Sequence, residues 1–336
     1  MRIVYALIAS MFIFSLHAQT IAVVQEGLGK VVVFQAGDPT HQTVIAVGEK
    51  PHEIEITPDG KTAFVSNFGL LEANHKVGTP GTTISVLDLH RHAERTRFNL
   101  PAGFTAPHGL KLRPPKYQEL FTNAEEGNAG MVVFDAATGA MLRTFPLPAG
   151  VHNFIFNADG SALFAFTTEG KVCRIDPESG MVKICIGPVS VRGLAWSADG
   201  RTLIVSDKGR LILLEPDGLT GVKFDHLGVG QIFYPLATAD GRWILAPAVL
   251  DGVVLVADAK TGAVAHRIET GSPLLAALDA DGKHAWISNV RVPAGLFGPE
   301  TKARDGGVVR LDLSTFQTVA IPGIVDTNGL AIASPR

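Results

Sequence analysis

The chain has 336 residues, with 29 Lys and Arg against 32 Asp and Glu and a formal net charge of −3 at pH 7. That balance, with no long basic run to track a phosphate backbone, excludes a general nucleic-acid binder. Two cysteines in so long a chain exclude a disulfide-framework protein.

In chain order, Arg2 precedes a mainly apolar, uncharged run from Ile3 to Leu16, followed by His17 and the small residue Ala18. This matches the charged, apolar and cleavage parts of a secretory leader, with the cut expected after Ala18. The run is shorter than the roughly 18 to 20 apolar residues of a membrane span, and nothing later is comparably apolar. The expectation is a leader at 1–18, a single domain at 19–336, no membrane span, and a soluble protein in the periplasm or outside the cell.

Three short strands follow, at Thr20 to Gln25, Lys30 to Gln35 and Gln42 to Val47. A repeat then begins: P-H-E-I-E-I-T-P-D-G-K-T-A-F-V-S-N from Pro51, with counterparts from Val151, Val191, Tyr234 and Pro273. Each is an alternating strand, an Asp-Gly turn and a second strand. Asp-Gly is the strongest short hairpin signal, because glycine accepts the positive φ that the tight turn needs. The turn aspartates are Asp59, Asp159, Asp199, Asp240 and Asp281, and the long first interval hides one more copy, from Pro107, in which Pro114-Pro115 replaces the turn. Further strands follow each hairpin, at Ile84, Met131, Lys171, Val253 and Val308. Four strands per roughly 40 to 45 residues is the propeller-blade pattern. Six blades span Gly48 to Ile321, and a lone strand from Asn328 completes a seventh with the three N-terminal strands. The expected fold is therefore an all-β, seven-bladed propeller closed by one C-terminal and three N-terminal strands. Cys173 and Cys185 flank the turn at Asp176 to Gly180, nearly opposite each other. A cross-strand disulfide and two free thiols on opposite faces both remain open, since one residue of register decides between them.

The recurring P-D-G or A-D-G turn followed by A-F-V-S-N, L-F-T-N or A-W-I-S-N resembles the bacterial YVTN-repeat propellers, which in turn resemble the lactonase-type seven-bladed propellers. The resemblance covers nearly all of the mature chain. It implies the fold and transfers no catalytic residue, because the repeated positions mark turns and blade packing.

We call top the face where the inner strands start. The insertions Phe68 to Gly81, Ala124 to Ala129 and Val290 to Asp305 lie on that face, which makes it the expected functional one. Aligned on the turns, the blades present at the head of their inner strands His52, His108, His152, Arg192, Phe233, Leu274 and Asn328. His52, His108 and His152 are candidate metal ligands, expected to converge tetrahedrally, with His75, Glu125 and Glu126 as a fourth ligand or general base. The competing reading makes each histidine a cap of its own blade. Arg192, which suits a carboxylate or phosphate, is a ligand-binding candidate together with Asn67, Asn123, Asn289, Asn328 and Phe233. Asparagines at strand ends also satisfy backbone groups, and Phe233, Tyr234 and Trp196 also serve packing. The function expected first is a binding module for a small molecule or a protein at the top face, with no cofactor assigned and a divalent metal ion left open. The alternative is a metal-assisted lactonase-type hydrolase with a divalent ion on the histidines. A copper redox site ranks third.

Overall fold

The computed structural model describes residues 19–71, 74–296 and 299–333, without the side chains of residues 74–76; the leader expected at 1–18 lies outside them. Seven four-stranded antiparallel sheets form the ring. Their inner strands are Pro51–Ile56, Phe104–Leu112, Val151–Phe156, Leu194–Trp196, Leu236–Ala237, Pro273–Leu278 and Thr327–Ile332, which define blades 1 to 7. Among the described residues no helix is long and apolar enough to cross a membrane.

The turns form as their chemistry dictates. In blade 1 the Asp59 carboxylate accepts hydrogen bonds from the Thr57 hydroxyl at 2.6 Å and the Lys61 amide at 3.1 Å, and Gly60 takes φ +70°. Blades 4 and 5 repeat the device through Ser197 with Asp199 and Thr238 with Asp240. Such bonds hold the Asp59, Asp199 and Asp240 carboxyls below the usual carboxylate range.

The ring closes as expected. Thr327–Ile332 pairs antiparallel with Thr20–Gln25, with Leu330 opposite Val23 and Ile332 opposite Ile21. Lys30–Gln35 and Asp38–Ala46 complete blade 7. The last strand starts at Asp38 rather than Gln42, because the tight turn at Ala36 and Gly37 lets pairing resume at once, Gln35 opposite Asp38. Inner strands are shortest in blades 4 and 5, where Pro235, lacking an amide proton, limits the second. Cys173 stands opposite Cys185 and the two are bonded.

The core lies between blades. Phe64, Phe98 and Phe134 join blades 1 and 2, while Ile21, Val23, Leu330 and Trp286 join blades 7 and 6. Each blade thus buries both faces against neighbours, and closure removes the exposed edge an open stack would leave.

Candidate binding site at the top of the ring

The heads of the inner strands meet. A top-face pocket of about 240 Å³ is lined by His52, His152, Arg192, Phe233, Leu274 and Asn328, six of the seven aligned head residues. The seventh, His108, is fully buried between His52 and His152. The blade 6 insertion lies over one side. Its Val292 packs on Val249 and Leu274, and Arg304 ties its return limb to the carbonyls of Val249 and Gly271, each at 2.7 Å. The pocket therefore has an apolar wall of Phe233, Val249, Leu274, Val292 and Leu296. The same pocket is lined by Arg192, Arg291, Glu26, two imidazoles and the Asn328 amide.

Asn328 is distinctive. It is 1% exposed, and among the described residues neither its amide nitrogen nor its amide oxygen has a hydrogen-bond partner. A buried amide without partners costs about 1–3 kcal/mol, so a group bound in the pocket is its natural counterpart.

The three histidines form a row rather than a ring around one point. His52 and His108 have ring centres 4.2 Å apart, and His108 and His152 4.1 Å. Phe68, from the blade 1 insertion, meets His52 and His108 edge-on, and Phe166 flanks His152. The expected tetrahedral triad is corrected on this point, because successive blades turn about the ring axis and leave His52 and His152 on opposite sides of His108. Ligating atoms come together instead in two groups that share His108, one with His52 and Glu53 and one with Glu125 and His152, each within 4.8 Å.

Below the head residues lies a second tier that the sequence alignment did not single out. From blades 1, 3 and 5 come Glu53, Asn153 and Tyr234, which meet across the axis. The Asn153 amide donates to Glu53 Oε1 at 2.9 Å and to the Tyr234 hydroxyl at 3.2 Å. Blades 2, 4 and 7 have Gly109, Gly193 and Gly329 at the same position, and a Cβ on each would strike the following blade. At Gly329 it would come within 2.4 Å of the His52 carbonyl oxygen, and at Gly193 within 2.5 Å of Tyr234 Cα. Bulky residues thus reach inward where the preceding blade has withdrawn its side chain. The signal was present in H-G, R-G and N-G directly after the aligned heads.

This floor separates the top pocket from a lower chamber of about 710 Å³, lined mainly by apolar and aromatic side chains with Lys111, Glu53 and Glu55 as its charged focus. Lys111 Nζ lies 3.7 Å from Glu53 and 3.9 Å from Glu55. Burial works against ionisation of Glu53, but Lys111 and the three imidazoles outweigh it and hold the carboxyl below its usual range. At Glu55 burial wins and pushes the carboxyl up.

The remaining candidates are placed elsewhere. Asn67 accepts from the Gly48 amide at 3.0 Å and donates to Thr83 and Ser85; Asn123 donates to the carbonyls of Val151 and His152; Asn289 accepts from the Ser272 amide at 2.9 Å. These three hold strand ends and blade junctions and do not line the pocket. Glu126 is exposed and belongs to neither histidine group. The His75 side chain lies outside the described residues. Trp196 donates to the Phe156 carbonyl at 2.6 Å and lines the lower chamber.

No family model matches the chain. A functionally unknown protein from Desulfotomaculum acetoxidans superposes with TM-score 0.71 at 15% identity, over 95% of this chain and all of that one. A Bacteroides uniformis protein provisionally assigned as a 6-phosphogluconolactonase gives 0.67 at 14% identity, over 94% of this chain and 99% of its own. Dihydro-heme d1 dehydrogenase NirN in complex with DHE gives 0.66 at 14% identity, over 93% of this chain and 74% of that one. These likenesses are of fold alone. Among curated proteins, the uncharacterized peptidase YuxL of Bacillus subtilis is 27% identical over 136 residues, 39% of this chain and 20% of its own length, so the match spans about a fifth of that relative.

Proposed function

We propose that the protein is an exported propeller of the YVTN-repeat type that binds a small organic anion, a carboxylate or phosphate ester, in its top pocket. The observation that carries this reading is the mixed lining of the pocket, with two guanidinium groups against a single carboxylate. Arg192, Arg291, His52, His152 and the unpartnered Asn328 amide line it together with Glu26 and the apolar side chains of Phe233, Val249, Leu274, Val292 and Leu296. Guanidinium and amide donors suit a carboxylate or phosphate, and the wall suits a short apolar body. At about 240 Å³ the space is below that of drug-sized ligands. Export is supported by the leader pattern at 1–18 and by the Cys173–Cys185 bond, which persists in oxidising compartments.

Calorimetry with acetate, succinate, citrate, glucose 6-phosphate and inorganic phosphate tests the reading. At least one is expected to bind saturably to the parent, and Arg192→Ala to weaken it at least tenfold, in line with about 1.5–3 kcal/mol for a charge-assisted hydrogen bond. Binding of equal strength in the variant, or to none of the panel, counts against it. A second reading, lactonase-type hydrolysis, draws on the carboxylate and imidazole groups beneath the pocket. It adds the requirement of turnover, read as acid release from a lactone.

A further inference from the structure

Of the two groups that share His108, one stands beside an ammonium group. Glu53 accepts from Asn153 and lies 3.7 Å from Lys111, whose ammonium repels any cation beside it. In the other group, which has no ammonium among its members, Glu125 Oε1 is hydrogen-bonded to His152 Nδ1 at 2.9 Å and lies 3.8 Å from His108 Nδ1. Donor atoms bonded to one ion at about 2.1 Å stand about 3.0 to 3.4 Å apart, so these spacings bracket a coordination sphere.

We infer that Glu125, His108 and His152 bind one divalent transition-metal ion between blades 2 and 3. Two imidazoles and one carboxylate are a donor set that zinc and its first-row neighbours accept, with further positions left for water or ligand. The setting is built rather than incidental. His108 is fully buried, His152 is 8% exposed, and the Asn123 amide holds the backbone carbonyl of His152 at 3.3 Å. Access is provided too: Glu125 lines a rim groove of about 450 Å³ with Gly130, Pro148 and Gly150, while His152 faces the top pocket. His52 lies on the far side of His108 and takes no part.

The test uses untagged, EDTA-treated full-length protein titrated with Co²⁺, whose visible absorption reports coordination by nitrogen and oxygen. One equivalent is expected to bind and to be displaced by Zn²⁺. Glu125→Gln and His152→Ala should each weaken it at least tenfold, whereas His52→Ala should leave it within threefold. Circular dichroism checks folding, and the near-isosteric Glu125→Gln decides should His152→Ala misfold. Absence of saturable uptake, an unaffected Glu125→Gln, or an equal loss in His52→Ala each overturns the site. Anion calorimetry on the same metal-free protein reads the top pocket separately, so either idea can fail alone.

Discussion

Ending the chain at Thr327 is expected to abolish cooperative folding. The residues removed supply most of the inner strand of blade 7, and with them the pairing of Leu330, Ala331 and Ile332 to Val23, Ala22 and Ile21. Leu330 packs in one cluster with Ile21, Val23 and Trp286, and Ala331 and Ile332 pack against the clusters on either side. Burying a large apolar side chain contributes about 1.5–3 kcal/mol, and each hydrogen bond about 1 kcal/mol net. The loss is therefore on the order of 5–10 kcal/mol, comparable with the whole net stability of about 5–15 kcal/mol of a typical domain. It also opens the ring and bares the edge of Thr20–Gln25, a template for association. Urea unfolding followed by circular dichroism reads the outcome. A truncated chain with the parental midpoint would mean that the wheel is held without its last spoke.

Gly193→Ala is expected to damage stability and the site together. The new methyl would lie 2.5 Å from Tyr234 Cα, 2.8 Å from its amide nitrogen and 2.9 Å from the Phe233 carbonyl oxygen. All three are backbone atoms, so no side chain can swing aside and the blade 5 inner strand must retreat. Overpacking of this kind costs about 1–3 kcal/mol, and more where the backbone must move. Phe233 and Tyr234 wall the top pocket, and Tyr234 also completes the floor, so ligand affinity should fall with stability. Gly37→Ala is the control: nothing lies within 4 Å of its Cβ, and a change within about 0.5 kcal/mol is expected. Equal melting temperatures for the two variants would remove the argument for the glycine tier.

The blades were legible because their turns use residues with a mechanism. Thr57, Asp59 and Gly60 dictate one hairpin, and repetition turns it into a ring. Alignment also found the head residues, and six of them line one pocket. What escaped was the depth of each side chain. His108 and His52 carry the same P-H signature and are both buried, yet only His52 lines the pocket. The convergence of three imidazoles on one point failed for a related reason: equivalence in sequence gives equal height on the axis, whereas distance depends on the rotation between blades. Glu53, Asn153 and Tyr234 were hidden by dissimilarity. Their meeting depends on glycines in the intervening blades, a pattern visible only when adjacent repeats are compared one residue past the heads. Asn67, Asn123 and Asn289 show the converse, with recurrence at strand ends reflecting the backbone groups they satisfy.

The most direct test of the account is a histidine-selective NMR titration of the mature chain with the tightest-binding anion of the panel. The imidazole signals of His52 and His152 should shift together and saturate at one equivalent, while those of His41, His266 and His284, all away from the pocket, stay in place. Saturation of the ligand with His52 and His152 unmoved would contradict the assignment of the top pocket as the binding site.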